Sequence, residues 1–246
     1  MAHDRAARSR SFGGAADAYA AGRPPYPAEA IAWLVEGARR VVDVGAGTGK
    51  LTAGLVAAGC EVVAAVDPDA GMLGALEAAV PGVPVLVGTA ESVPLPDASV
   101  DAAVLGQAWH WVDPDAASAE LGRVVIPGGV LGLIWNIRDE REPWVAALGG
   151  IMHGSDAERM IGEGGVRVAA PFGPLVERTL AWSMPRTPDE ILAMAASRSY
   201  LIAMPEDRRA AVLDRIRELL ATHPATAGRT RIDLPYVTHA FRAVRP

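Results

Sequence analysis

Along the first 140 positions, short β-branched apolar runs recur, each closed by glycine, proline or aspartate and each followed by helically spaced apolar positions. Pro27 predicts a helix start, with Ile31, Leu34, Val35 and Ala38 along one face. Val41 to Val44 is a buried strand running into glycines, and Lys50 to Ala58 is the helix behind it. Glu61 to Val66 is a second strand, closed by Asp67-Pro68-Asp69, which opens a helix carrying Met72, Leu73 and Leu76. Val83 to Val87 and Val100 to Leu105 are the third and fourth strands. Asp113 caps a helix that has Pro114 at its first position and runs through Leu121 and Val125. Ile126-Pro127-Gly128-Gly129 reads as a turn, and Val130 to Trp135 as a fifth strand. Five strands alternating with helices predict a doubly wound, mainly parallel sheet.

The second half follows a looser pattern. A helix is expected near Trp144 to Met152, then loop, then a strand from Val176 to Met184. Thr187-Pro188-Asp189-Glu190 has the Thr-x-x-Glu capping-box spacing and opens a helix toward Tyr200. A further helix starts at Pro205, with Val212, Leu213, Ile216, Leu219 and Leu220 on one face, and Ile232 to Ala243 is the last strand. The expected organisation is one domain over 1–246. Its cofactor-binding core is 27–140, an N-terminal cover is 1–26, a helical cover or insert over the sheet's carboxyl edge is 143–225, and the closing strand is 230–243.

Composition narrows the classes. The 246 residues are 50% hydrophobic and 21% charged, enough for a substantial core. The net charge of −6 gives nucleic acid no electrostatic footing, and the 23 basic residues, 22 arginines and Lys50, are scattered. The excess of Arg over Lys with abundant Ala, Gly and Pro suggests a GC-rich bacterial genome. A lone cysteine, Cys60, leaves no internal disulfide and reads as a small packed hydrophobe. With no signal peptide and no run of about 18 apolar residues, a cytoplasmic protein without a membrane span is expected.

Candidate chemistry centres on VVDVGAGTGKLT, residues 41–52. Glycines at 45, 47 and 49 let the chain turn sharply and let a ligand approach without meeting a Cβ. A dinucleotide fingerprint places its third glycine five residues after the first, whereas here it comes after four. Asp67, 22 residues after Gly45, stands where a carboxylate can take both hydroxyls of a ribose. Asp43 discriminates between ligands: a carboxylate at this turn repels a pyrophosphate and favours an ammonium or sulfonium group.

The ordered set Asp43-Val44-Gly45-Ala46-Gly47-Thr48-Gly49, Asp67, Gly88-Thr89-Ala90-Glu91 before Leu95-Pro96, and Val124-Val125-Ile126-Pro127-Gly128-Gly129 resembles the motif series of class I S-adenosylmethionine-dependent methyltransferases. Gln107-Ala108-Trp109-His110-Trp111 and the early Tyr19…Arg23-Pro24 are similar to the small-molecule group that includes trans-aconitate methyltransferases. The resemblance implies a Rossmann-like sheet of about seven strands with an antiparallel last strand. It implies S-adenosyl-L-methionine as cofactor, S-adenosyl-L-homocysteine as product, and no metal. It also implies that Gly45, Ala46 and Gly47 contact the methionine portion, Asp67 holds the ribose, and Pro68 and Met72 lie against the adenine. Ala90 and Glu91 face the adenine edge, Gln107 and Ala108 flank the methionine moiety, and Tyr19 and Arg23 fold over the cofactor, Arg23 pairing with its carboxylate.

For the acceptor, a carboxylate needs no general base at neutral pH, whereas a phenol benefits from one. His110, expected at the carboxyl edge, is therefore a candidate base or polarising group, set against a purely structural role. Alternation puts Trp109 and Trp111 on opposite sides, with Trp111 toward the pocket and Trp109 in the core. Trp135, Asn136 and Tyr200 are candidate acceptor contacts, Ser199 sits beside them, and Arg138 and Arg198 could meet an anionic acceptor. His110, Asp113 and Asp115 fall in one window, but the two aspartates are better explained as a helix cap and first-turn charge. The expected activity is methyl transfer to a small molecule, more readily at an oxygen, by a monomer or homodimer. The alternatives are a non-methylating binding protein of the same fold and an NAD-dependent oxidoreductase.

Overall fold

The computed structural model describes residues 22–152, 154, 156–198, 201 and 204–246. In chain order these build α1 (Ala28–Leu34), β1 (Arg40–Val44), α2 (Lys50–Ala57), β2 (Glu61–Asp67), α3 (Ala70–Ala79), β3 (Val85–Val87) and β4 (Val100–Gly106). A 3-10 turn (Trp109–Trp111), α4 (Pro114–Val124), β5 (Val125–Arg138), α5 (Pro143–Met152) and α6 (Asp156–Gly162) follow. The chain closes with β6 (Val176–Arg186), α7 (Pro188–Ala196), α8 (Glu206–Thr222) and β7 (Ile232–Val244).

One sheet carries all seven strands in the order β3-β2-β1-β4-β5-β7-β6. The first five pair in parallel, and β7 runs antiparallel to both neighbours. Chain order reverses between β1 and β4, so their carboxyl ends border the crevice where ligands of such sheets collect.

Alternation along β5 sorts its side chains. Leu131, Leu133 and Trp135 join Phe241, Leu121 and Val124 in the core on one face. Ile134 faces the other way, with Ile31, Leu34, Leu51 and Leu55 from α1 and α2. A third cluster covers the far end of the sheet, where Trp144, Leu148, Ile191, Ile216 and Leu220 pack on Ile232, Leu234 and Tyr236. Helices α5, α7 and α8 therefore rest on the start of β7.

Several expectations shift by local physics. Pro27 is the N-cap of α1 rather than its first residue, and the helix stops before Ala38. The Ile126–Gly129 stretch is not a free turn: it lies within β5, where pairing jumps from Val100↔Val125 to Ala102↔Val130. Gly128, at φ +79, lets this bulge form. The strand continues to Arg138 because β7 pairs with it as far as Tyr236. Helix α6 replaces an expected loop. Thr187 forms the predicted capping box, its hydroxyl accepting from Glu190 N–H while the Glu190 carboxylate accepts from Thr187 N–H.

Candidate active site

At the end of β1 the chain turns through Gly45, Gly47 and Gly49, all at positive φ of 69°, 54° and 84°. The Gly45 and Ala46 amides donate to Val66 O at 2.8 and 3.1 Å, which ties the turn to the end of β2. At Gly45 the requirement is twofold, because a Cβ there would lie 2.6 Å from the Ala108 methyl. The strand-end segments after β1 and β4 thus approach so closely that a side chain at Gly45 would meet Ala108.

Beneath the turn lies Asp43, fully buried. Its Oδ2 accepts a 2.6 Å hydrogen bond from Thr52 Oγ1, while Oδ1 is buried and makes no hydrogen bond. Burial pushes its carboxyl up to about 7, Thr52 opposing and the nearby Asp67 charge reinforcing the shift. The expected fixed negative charge is accordingly a group that burial makes much harder to ionise in the ligand-free protein. Asp67, at the end of β2, is also buried; its oxygens accept from Gly47 N–H and Asp69 N–H, both at 2.9 Å. Burial raises its carboxyl above the ordinary range, and those two amides hold the rise in check. Asp69 caps α3 through Gly71 and Met72 N–H.

Across the crevice, Gln107 follows β4 with φ +55, a conformation that non-glycine residues rarely adopt. Its amide donates to Ile134 O at 2.9 Å, and its side chain donates to Asn136 O at 3.0 Å. Asn136 Nδ2 donates to Pro25 O at 3.0 Å, and Thr238 Oγ1 donates to Asn136 Oδ1 at 2.7 Å. Asn136 therefore pins the N-terminal segment over the sheet. Tyr26 closes on Gly106, where a Cβ would stand 2.7 Å from its hydroxyl oxygen.

These groups enclose an open cleft of about 490 Å³, solvent-facing mouth included. Of the expected residues, Arg23, Asp43, Gly45, Ala46, Gly47, Gln107 and Asn136 line it. Pro24, Tyr26, Thr48, Lys50, Leu51 and Gly106 line it as well, and had no expected role. Tyr26 was signalled only by its place beside two prolines. Asp67 joins the wall indirectly, through Gly47. Along the β2 side, Met72 and Ala90 are buried and Pro68 partly so, and Glu91 Oε1 accepts from Asp113 N–H at 3.0 Å.

Other placements differ from expectation. Trp135 is fully buried on the opposite face of β5 from the cleft-lining Asn136, edge-on to Phe241 at 5.8 Å. Its indole N–H points to His110 Nδ1 at 3.5 Å, a long contact. His110 and Trp111 are half-buried, their rings 4.8 Å apart, and the cleft lining among the described residues does not include them. Trp109 sits in the core as expected, although its segment is a 3-10 turn rather than the extended loop behind that expectation, and its indole N–H donates to Arg167 O. Asp113 caps α4, and Asp115 pairs with Arg167 at 2.7 Å. Tyr19, Ser199 and Tyr200 lie outside the described residues. Among the described residues no helix is long and apolar enough to cross a membrane.

Comparison with known proteins follows the same lines. A methyltransferase domain family matches residues 42–133. An uncharacterized methyltransferase of Mycobacterium tuberculosis is 50% identical over 99% of both chains. An uncharacterized methyltransferase-like protein of Schizosaccharomyces pombe is 32% identical over 91% of both. A solved structure from Anaeromyxobacter dehalogenans, described as a proposed type II methyltransferase, superposes with a TM-score of 0.67 at 29% identity, covering 91% of this chain and 97% of that one.

Proposed function

The chain belongs to the class I S-adenosylmethionine-dependent methyltransferases, and from that membership we propose that it moves a methyl group from S-adenosylmethionine to an oxygen of a small-molecule acceptor, leaving S-adenosylhomocysteine. The observation that carries the reading is Asp43: a fully buried carboxyl at the cleft, with one oxygen making no hydrogen bond. Such a group is costly unless a donor or a cation meets it. A cationic nucleoside does so, whereas a pyrophosphate at the same turn is repelled.

The cofactor supplies an electrophilic methyl on a positively charged sulfur, and the chain's residues orient what meets it. Gly45 and Gly47 let the backbone lie against the methionine portion, and Ala46, Gln107 and Ala108 flank it. Arg23 pairs with its carboxylate. Asp67 spends one lone pair of each oxygen on backbone amides, leaving the others for ribose hydroxyls. Pro68, Met72 and Ala90 wall the adenine, and Glu91, its side chain engaged with Asp113, contributes through backbone. The pinned segment from Arg23 to Tyr26 and helices within 143–225 serve as covers that keep water from the transfer.

Positioning nucleophile, methyl and sulfur in line supplies much of the acceleration. No imidazole borders the cleft among the described residues, so the acceptor that suits it best arrives already ionised. A carboxylate, with a pKa near 4, does so at neutral pH. His110 then holds local structure. The acidic chain argues for a small metabolite rather than nucleic acid. Incubating the protein with labelled cofactor and a panel of carboxylates and phenols should yield S-adenosylhomocysteine with a carboxylate; tight uptake of NAD with none of S-adenosylhomocysteine refutes the reading.

A further inference from the structure

Asn136 lines the cleft, and past it along β5 begins a group of guanidiniums that the transfer chemistry leaves unexplained. Arg138 ends β5, two residues after Asn136 and on the same face of the strand. It is 3% exposed. Its Nη2 pairs with Glu158 Oε1 at 2.8 Å, while its Nε and Nη1 are buried and make no hydrogen bond. Arg198, just past α7, is partly buried, and burial together with the charges of Arg23 and Arg138 pulls its guanidinium down to about 9. Arg23 itself lines the cleft. Tyr236, opposite Arg138 across the β5–β7 ladder, is buried, and its hydroxyl meets the Met194 sulfur, a weak acceptor, at 3.7 Å.

A bond to Glu158 would explain one buried arginine as a pin between the sheet and α6. It does not explain why three guanidiniums converge, nor why Arg138 keeps two donating nitrogens buried and unspent, at an energetic cost that an apolar side chain would avoid. Buried positive charge beside a ligand cleft is instead the complement of an anion. We propose that Arg138, with Arg198, receives a carboxylate or phosphate group of the acceptor and so fixes which oxygen faces the methyl group, while Arg23 stays with the cofactor's carboxylate. This rests on the methyltransferase reading of the cleft and narrows its substrates to small molecules carrying an anionic group besides the accepting oxygen.

The test is calorimetric titration of the full chain, saturated with S-adenosylhomocysteine, with glutarate, inorganic phosphate and the uncharged glutaramide. Wild type should bind at least one anion and not glutaramide, the tighter anion marking the acceptor's group. Arg138→Met and Arg198→Gln should each weaken that binding about ten-fold or more, the scale of a lost charge-assisted hydrogen bond, with nucleoside affinity unchanged. Arg138→Lys should recover part of the loss. Arg198→Gln leaves the Arg138–Glu158 pair intact and carries the test if Arg138→Met does not fold. The inference is overturned if wild type takes up the nucleoside but neither anion, if glutaramide binds as well as glutarate, or if the variants keep full anion affinity. Failure of wild type to bind S-adenosylhomocysteine refutes the underlying reading instead.

Discussion

Asp43 sits where no water reaches it, and its carboxyl moves from an ordinary 3.8 to about 7 for that reason. An acid whose pKa is raised by folding is harder to ionise in the folded chain, so it subtracts stability as pH climbs from about 4 through 7. Asp43→Asn should therefore raise the melting temperature of the ligand-free protein most at pH 8, by clearly less at pH 5, and change it little near pH 3. The gain is at most about 4 kcal/mol, three pKa units converted at 1.36 each. A cationic cofactor favours the ionised form, so wild-type affinity for S-adenosylmethionine should rise from pH 6 to pH 8 with release of a proton, measurable by calorimetry in buffers of different ionisation heat. In Asp43→Asn that dependence should vanish and affinity should fall. His110 makes the opposite test: His110→Asn should keep turnover within about three-fold and leave the pH–rate profile unchanged, whereas loss of a general base costs about 100-fold or more. The glycines were legible because residue type alone encodes a positive φ. The protonation of Asp43 was not, because it depends on burial by residues distant in the chain.

Elements that are buried on both faces announce themselves, which is why β1, β2 and β4 were readable as apolar runs bounded by turn residues. Caps were equally readable, since Asp69, Asp113 and Thr187 each satisfy amides within three residues. Helix α6 escaped because glycines flank it, although Ala157, Met160 and Ile161 carry the i, i+3, i+4 spacing that packs it on the core. The full length of β5 escaped because its last residues are held by β7, about 100 positions away. At this scale the Thr187 box gives a clean measurement. Thr187→Ala should lower stability by about 1 kcal/mol, seen as a lower urea midpoint at unchanged slope. Nucleoside affinity should hold, because α7 packs in a cluster apart from the glycine turn.

Across the whole molecule, the cleft is assembled from segments far apart in sequence: Arg23 to Tyr26, the turn after β1, Gln107 and Asn136. One contact, Asn136 to Pro25, closes a span of 111 residues. Single side chains could be nominated from the chain, but this convergence could not, because it is fixed by the sheet order and by which face of β5 each residue takes. That is also why Trp135 and Asn136, neighbours in sequence, end in the core and at the cleft respectively. A site so assembled exists only in the folded state, so a ligand that fits it must stabilise the entire domain. At a free concentration of 100 times its dissociation constant, S-adenosylhomocysteine should add about 2.7 kcal/mol. For a domain of this size that corresponds to a rise in melting temperature of about 5–10 °C. Asn136→Ala, which frees Pro25 without touching the glycine turn, should reduce that rise while leaving the melting temperature of the ligand-free protein within a few degrees, because the segment it releases shields ligand rather than core. NAD, with its pyrophosphate facing Asp43, should produce no shift in either protein; a shift as large as that from S-adenosylhomocysteine would mean that the cleft recognises the nucleoside and is indifferent to charge at the turn.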